Sequence, residues 1–416
     1  MKVLKIILEL IYYIFYFMII SYTLYYVFTG LCVVFNKKNK IKRYKEKTKF
    51  AILIPARNEE VVIKQLISSL KKQNYSKELY DIFVIPNNCT DNTKQIAKDE
   101  GANIIECDIE VTKKGDALKY AFNYLMNEFP EYDAYCIFDA DNIVHPDFLK
   151  RMNDAYISGY NVAQGFRDCK NPKDSWISSC YSLFYFIQNF FFSQARTNIG
   201  LSASINGTGF MVAKSVIKKY GFDTITLTED VEFSAQCALN GVKIGFVKDA
   251  ITYDEQPAKF TQSWKQRKRW SVGTMQCLKI YSGKLFKESI KKKKLVCFDM
   301  SIYYMAPIMQ ILSFGLILAV LLYGVCGIQI LGGATDIVNI LASVIFGYLA
   351  SIFVAVFALL AQGKSVRQSI VGIITFPIFF FTWVPINLIC LVKKQYVWEP
   401  IEHKRTIAIE NVVNIK

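Results

Sequence analysis

The chain alternates long apolar runs with a polar, periodic middle. Residues 6–35 are almost uniformly apolar and carry only Glu9 as a charge. At about 1.5 Å per residue this run spans roughly 45 Å, which predicts one tilted transmembrane helix and not a hairpin of two. It is too long for a cleaved signal peptide, and no small-x-small site precedes the basic stretch that follows. Between residues 50 and about 290 the pattern changes to short β-branched and aromatic runs separated by helical spacing. Strands are expected at Phe50–Ile54, Asp81–Ile85, Asn103–Glu106, Ala134–Phe138 and Phe210–Ala213. Helices are expected at Glu59–Lys72, with Val62, Leu66 and Leu70 on one face, and at Thr93–Glu100, Ala117–Met126 and Asp230–Leu239. This alternation predicts an α/β domain with a mostly parallel sheet covered on both faces, and ligands in such sheets bind at the carboxyl ends of the strands. Beyond about residue 295, three runs (302–331, 337–360 and 370–392) are each long enough to cross a bilayer. The expected organisation is a transmembrane helix (1–36), a cytoplasmic α/β domain (37–295), C-terminal transmembrane helices (296–392) and a tail (393–416).

Charge changes this picture in one respect. The 416 residues carry 50 Lys+Arg against 35 Asp+Glu, a net +15, and much of the excess lies in runs bordering apolar segments: Lys37 to Lys49, Lys291 to Lys294 and Lys393-Lys394. That placement points to membrane lipids as partners and, by the positive-inside rule, to a cytoplasmic α/β domain. No recognition helix, zinc pattern or RNA-binding aromatic motif is present, so no nucleic acid is expected. The spans raise a parity problem. Three crossings after the domain would put the C-terminus outside, yet Lys393, Lys394, Lys404 and Arg405 argue for the inside. Pro377 and Pro385 allow a broken or re-entrant last segment, and Pro307 a break near residue 307; a cytoplasmic C-terminus is expected. The eleven cysteines form no Cys-x-x-Cys pair, and two histidines, His145 and His403, exclude a His-rich zinc site.

Candidate chemistry collects after the strands. Pro55-Ala56-Arg57-Asn58-Glu59, Asn87-Asn88-Cys89-Thr90-Asp91 and Asp139-Ala140-Asp141 each follow one, so three polar motifs converge on one sheet edge. Asp139 and Asp141 are one residue apart and project to the same side, and paired hard oxygens suit Mg2+ or Mn2+, which in turn holds a diphosphate. Alone, Asp-x-Asp also occurs in ordinary turns. Its company is Thr228-Glu229-Asp230 and Gln266-Arg267-Lys268-Arg269-Trp270; on a helix Gln266, Arg269 and Trp270 share a face. Each motif also has a plain structural reading. Asn58 and Thr228 can cap helices, Asp91 can close an Asx-turn, Lys113-Lys114 can be a solvated basic turn, and Asn206-Gly207-Thr208-Gly209 a tight turn before a strand. His145 suits a surface or capping role.

Taken together, in order and spacing, these motifs resemble the membrane-embedded family 2 glycosyltransferases, the group of cellulose, hyaluronan and poly-N-acetylglucosamine synthases. The resemblance covers nearly the whole chain. It implies a GT-A-like (Rossmann-like) domain, a nucleotide-sugar donor, a divalent metal (Mg2+ or Mn2+) and inversion at the anomeric carbon. It further implies that Pro55, Glu59, Asn87, Lys114, Asp139, Gln266, Arg269 and Trp270 hold the donor, with Asn87 standing where the family carries an aspartate against uracil. Asp141, with Asp139, would bind the metal. Gly207, Thr208, Gly209, Glu229 and Trp270 would meet the acceptor, and Asp230 would be the catalytic base. Trp398 falls where a gating segment or an interface anchor is expected. The implied activity is sugar transfer from a nucleotide-sugar, UDP-linked, to a glycan or lipid-linked acceptor at the membrane, as processive synthesis of a β-linked polysaccharide or as single transfer to a lipid, with room for an accessory membrane subunit. A transporter or a non-catalytic scaffold is the rival class; few ionisable residues lie within the spans, which argues against ion coupling.

Overall fold

The structure is a computed structural model, and it describes residues 2–34, 41–325, 337–392, 406–407 and 409–412. A long helix, α1 (Lys2–Leu31), precedes the α/β domain. That domain runs β1 (Phe50–Ala56), α2 (Ile63–Lys71), β2 (Tyr80–Pro86), α3 (Thr93–Asp99), β3 (Asn103–Ile104), α4 (Lys114–Glu128), β4 (Ala134–Ile137), β5 (Ile143–Val144), α5 (Phe148–Ile157), β6 (Val162–Cys169), α6 (Trp176–Ile187), α7 (Ala195–Asn198), β7 (Phe210–Ala213), α8 (Lys214–Tyr220), α9 (Glu229–Leu239) and β8 (Ile244–Asp254). Helices then follow to the end: α10 (Phe260–Cys277), α11 (Gly283–Lys291), α12 (Leu295–Tyr304), α13 (Ala306–Val325), α14 (Ile337–Ala361), α15 (Ile370–Phe381), α16 (Trp383–Val392) and α17 (Ile409–Val412).

The sheet order is β3-β2-β1-β4-β7-β6-β8-β5. β3, β2, β1 and β4 are mutually parallel, β6 runs parallel to β8, and β7 and β5 are antiparallel to their neighbours. The sheet is therefore mixed and mostly parallel. Residues Phe50 to Ile54 of β1 are wholly buried, as a central strand covered on both faces requires. The expected helix at Glu59 starts at Ile63 instead. The Glu59 and Glu60 N–H groups donate to Thr93 Oγ1 (2.7 Å) and Asp91 Oδ2 (3.1 Å), so this stretch braces the neighbouring loop before the helix begins. The third strand is two residues long, not four.

Four helical stretches are long and apolar enough to cross a membrane: Glu9–Val34, Ala306–Val325, Val338–Ala361 and Arg367–Val392. The last two share a core with the α/β domain. One cluster joins Phe166, Tyr181 and Phe186 to Ala355 and Leu359 of α14 and to Ile373, Phe376 and Phe379 of α15. The expected run 302–331 is divided at Met305. Its first residues belong to α12, whose Cys297, Met300 and Tyr304 are buried against α9, α10 and α11, with the Tyr304 hydroxyl donating to Val231 O (2.7 Å). Residues 326–336 and 393–405 lie outside the described residues, and with them Trp398 and the basic residues of the tail up to Arg405.

The last apolar stretch breaks at Thr382, between Pro377 inside α15 and Pro385 in the first turn of α16, and it rests on the α/β domain along its length. At its start, a Cβ on Gly372 would stand 2.3 Å from Ser179 Oγ. In the middle, Arg267 donates to Phe379 O (3.1 Å) and Thr382 Oγ1 (2.7 Å). Further on, Trp383 Nε1 donates to Ser271 Oγ (3.2 Å), and Cys390 Sγ reaches Lys268 O (3.7 Å). α1 is tied in separately. Buried Arg196 pairs with buried Asp299 (2.9 Å), which also accepts the Tyr25 hydroxyl (2.7 Å), joining α1, α7 and α12. α17 pairs Glu410 with Lys72, at the end of α2.

Candidate active site

A cleft of about 330 Å³ opens at the carboxyl edge of β1, β2 and β4. Pro55 and Glu59 reach it from the loop after β1, Asn87 from that after β2, and Asp139 and Asp141 from that after β4. Lys114 enters from the first turn of α4, Gly207 from the loop before β7, Glu229 and Asp230 from the first turn of α9, and Gln266, Arg269 and Trp270 from α10. The three predicted loops do converge. Two of the residues expected at the acceptor do not line the wall. Thr208 is fully buried: its hydroxyl accepts the Asp139 N–H (3.0 Å) and donates to Asn142 Oδ1, so it holds the Asp139 loop from behind. Gly209, at φ +61°, packs where a Cβ would stand 2.7 Å from Thr252 Oγ1, so it serves strand packing.

The donor-side loops are stitched together. Asn87 Nδ2 donates to Ala56 O (3.1 Å), while no described residue donates to its Oδ1. Asp91 accepts from Thr93 N (3.0 Å) and Thr93 Oγ1 (2.6 Å), the expected structural role. Asn58, at φ +57°, accepts the Thr90 N–H (2.8 Å). His145 lies outside the cleft and accepts the Asp147 N–H (3.2 Å) at the start of α5.

Charge is concentrated at the centre. Lys114 Nζ reaches Asp139 Oδ1 (2.5 Å), Gly207 O (2.6 Å) and Glu229 Oε1 (3.5 Å), so one ammonium bridges three motifs. Burial alone would lower its pKa; Asp139, Glu229 and Asp230 outweigh that and raise it. Asp230 goes the other way. Burial, then the neighbouring Glu229, push its carboxyl up to about 7, against the pull of the Val231 N–H, Lys114 and Arg167. What exposure Asp230 retains opens into the cleft, and a Cβ on Gly207 would stand 3.4 Å from its Oδ2.

A second ion pair forms the far wall. Arg167 Nε donates to Asp254 Oδ2 (2.6 Å), its Nη1 to Asn206 O (2.7 Å), and its guanidinium lies 4.1 Å over the Tyr185 ring. Burial, with Asp141 and Asp139 close by, raises Asp254 to about 6 despite Arg167, and its Oδ1 is buried without a partner. Asp141 Oδ2 accepts the Glu255 N–H (2.9 Å). Among the described residues no group of three or more His, Cys, Asp or Glu is arranged to hold a metal. The donor set still fits Mg2+ or Mn2+ in part: hard carboxylate oxygens from Asp139 and Asp141, with further positions left for water and diphosphate oxygens.

The side of the cleft formed by α6, α10 and α16 is aromatic. Trp270, Phe184 and Trp383 form a three-ring cluster, with Trp270 6.4 Å from each of the other two and those two 5.5 Å apart, and Tyr303 completes the lining. Arg267 turns away from the cleft. It is fully buried, 4.4 Å over the Phe379 ring and 5.3 Å from that of Trp383, and so fixes the α15–α16 break that brings Trp383 in. Arg167, Tyr185, Asp254, Tyr303 and Trp383 carry no local motif. Their arrival depends on strand register and on the docking of α15 and α16.

A family model described as "Glycosyltransferase like family 2" matches residues 48–273. The chain is 29% identical to the probable glycosyltransferase YdaM of Bacillus subtilis (strain 168) over 62% of each chain. It is 23% identical to a beta-monoglucosyldiacylglycerol synthase of Synechocystis over 54% of this chain and 47% of that one. It is 26% identical to a poly-beta-1,6-N-acetyl-D-glucosamine synthase of Staphylococcus aureus (strain COL) over 60% of each. The chain thus spans less than two thirds of each relative. A mannosyltransferase from Pyrobaculum calidifontis, solved with GDP-Man and Mn2+, shares the fold with a TM-score of 0.59 at 15% identity, covering 90% of this chain and 97% of that one. The fold is GT-A-like, and by the family match the chain belongs to the family 2 glycosyltransferases.

Proposed function

We propose that the protein is a membrane-bound, inverting glycosyltransferase that transfers a sugar from a UDP-sugar to an acceptor presented at the membrane face. The observation that carries this reading is the position of Asp230. Its carboxyl is raised to about 7 and sits between the donor loops and the aromatic wall. In the reaction, Asp230 takes the proton from the acceptor hydroxyl as that oxygen bonds to the anomeric carbon, and the bond from that carbon to the diphosphate breaks on the opposite face. Arg269 takes up the charge that develops on the diphosphate. A divalent metal held by Asp141 and Asp139 supplies further charge neutralisation when bound. Asn87 offers Oδ1 to the base, and Pro55 and Glu59 frame the nucleoside. Lys114 holds Asp139 and Glu229 in register. Gly207, Glu229 and Trp270 face the acceptor.

The aromatic stack of Phe184, Trp270 and Trp383 supports a processive synthase, since flat apolar faces hold successive sugar rings. The similarity to a glycolipid synthase supports a second reading, transfer of one sugar to a lipid. α1, α13 and α14 are read as crossings and α15–α16 as lying at the cytoplasmic interface, which puts the α/β domain and the tail on one side. The four-part organisation proposed for the chain then has its third part split between crossings and an interfacial roof. The test is release of nucleoside diphosphate across a panel of nucleotide-sugars, followed by product length. Release from no donor would sink the enzyme reading, and a single added sugar would defeat processivity.

A further inference from the structure

A second cavity of about 350 Å³ lies away from the cleft, lined by Ile41, Lys42, Tyr44, Ser158, Gly159, Tyr160, Thr197, Gly200, Leu201 and Lys243. Strand direction separates the two sites. The cleft uses the ends of β6 and β8, through Arg167 and Asp254, whereas Tyr160 and Lys243 precede their first residues, Val162 and Ile244, which are paired in register. Seven residues of strand place the two sites roughly 25 Å apart. The cavity nevertheless lies beside the end of the first candidate span. Thr197 is on α7, where Asn198 Nδ2 donates to Val33 O (2.9 Å) at the end of the first span. Tyr44 and Lys42 belong to the segment that leads from that span into the domain.

The lining is one-sided in charge. No carboxylate is among the ten residues, and neither Lys42 nor Lys243 has an acidic partner among the described residues. Asp154 and Asp249 are both engaged by Arg43 (3.1 Å each), the residue between Lys42 and Tyr44, and Asp154 also accepts the Tyr44 N–H (2.8 Å). The hydroxyls of Tyr44, Tyr160 and Ser158 make no hydrogen bond to a described residue. Two exposed lysines and three residues whose hydroxyls bond to no described residue therefore line one hollow that carries no carboxylate. That is the complement of a phosphate bearing negative charge and several acceptor oxygens.

We propose that this cavity binds the phosphate of an anionic lipid headgroup, seated beside the cytoplasmic end of the first span. A free phosphate has the same chemistry, and position decides for the lipid. The cavity adjoins α7, which holds Val33 at the end of the first candidate span through Asn198, and a crossing by α1 would bring it to the headgroup layer. The site needs no substrate and is independent of the cleft.

The test is native mass spectrometry of the full chain in detergent, titrated with phosphatidylglycerol or with phosphatidylcholine of the same acyl chains. A retained phosphatidylglycerol adduct is expected, reduced about tenfold by Lys42→Glu with Lys243→Glu and unchanged by the control pair Lys218→Glu with Lys219→Glu on α8. Should the first pair fail to fold, Tyr44→Phe with Tyr160→Phe removes only hydroxyls and is expected to weaken the adduct several-fold. Equal retention in all variants, or phosphatidylcholine held as well as phosphatidylglycerol, overturns the proposal. Displacement of the lipid by millimolar inorganic phosphate also overturns it, because the ligand would then be the soluble ion.

Discussion

Asp230→Asn separates a catalytic carboxylate from a helix-capping one. As a cap, Asp230 sits in the first turn of α9, where a negative charge contributes about 0.3–1 kcal/mol. As a buried base it costs stability. Moving its carboxyl from the ordinary 3.8 to about 7 corresponds to about 4 kcal/mol at about 1.36 kcal/mol per pH unit, reduced by any water that enters the cleft. The second effect is larger, so the variant should be more stable than the parent at pH 8, by about 2–4 kcal/mol. The sign follows from linkage. The folded chain keeps a proton that the unfolded chain has released between pH 3.8 and about 7, so the cost grows through that window and is complete above it. The gain should therefore be about 2 kcal/mol smaller at pH 5.5 than at pH 8. Turnover should fall by about 10²–10⁴-fold, the usual worth of a positioned base. Thermal unfolding in detergent at the two pH values, with diphosphate release on the same samples, reads both quantities. A variant that keeps its turnover, or one that loses turnover and stability together at pH 8, would refute the reasoning.

Other outcomes are expected. The pH profile of the parent should rise through pH 7 as Asp230 ionises, and chelation by EDTA should abolish transfer with recovery on Mn2+ or Mg2+, the Asp141→Asn variant recovering least; activity that survives chelation would remove the metal from the reading. Gly273→Ala would place a methyl 2.3 Å from Thr228 Oγ1, so despite the helix-propensity gain it should cost about 1–3 kcal/mol and at least about tenfold in turnover, read by melting and by kcat. Arg196→Ala leaves Asp299 buried with the Tyr25 hydroxyl but without its cation and should cost about 3–5 kcal/mol, visible as a lowered melting temperature. A cysteine at Lys416→Cys should react with an impermeant maleimide only in inverted vesicles; labelling in intact cells would place the tail outside.

Much of this was legible before the structure. Continuous apolar runs at Phe50–Ile54 and Ala134–Ile137 identify central strands because both faces are buried, and the polar residues after them had to emerge at one edge. Thr208 and Gly209 were misplaced for the opposite reason: a turn motif shows that backbone bends closely, and it does not show whether the close neighbour is a ligand or, as here, Asn142 and Thr252. Arg167 and Asp254 were invisible because their meeting depends on a β6–β8 register with an irregularity after Gly165. Trp383 was invisible because hydropathy reads 370–392 as one span. The buried Arg267, which pulls the break at Thr382 onto α10, sits inside the very motif whose other members face the cleft.

The roof formed by α15 and α16 has a consequence for how the molecule comes apart. Residues 48–273 are the stretch that matches the family, yet the cluster around Tyr181 and Phe186 is completed by Phe376 and Phe379, which lie far beyond the end of that stretch. Cut after the family domain, the chain would present those rings to solvent and release Trp270 from one of its two stacking partners. The donor loops, which follow β1, β2 and β4 and are braced by Thr208 and Glu255 from within the same stretch, would survive. Such a fragment is expected to keep nucleotide affinity while losing the far half of the cleft, and amide exchange on the intact chain should protect α6, α10 and α15 as one cooperative block. The boundary of heredity and the boundary of cooperativity in this protein run through different residues.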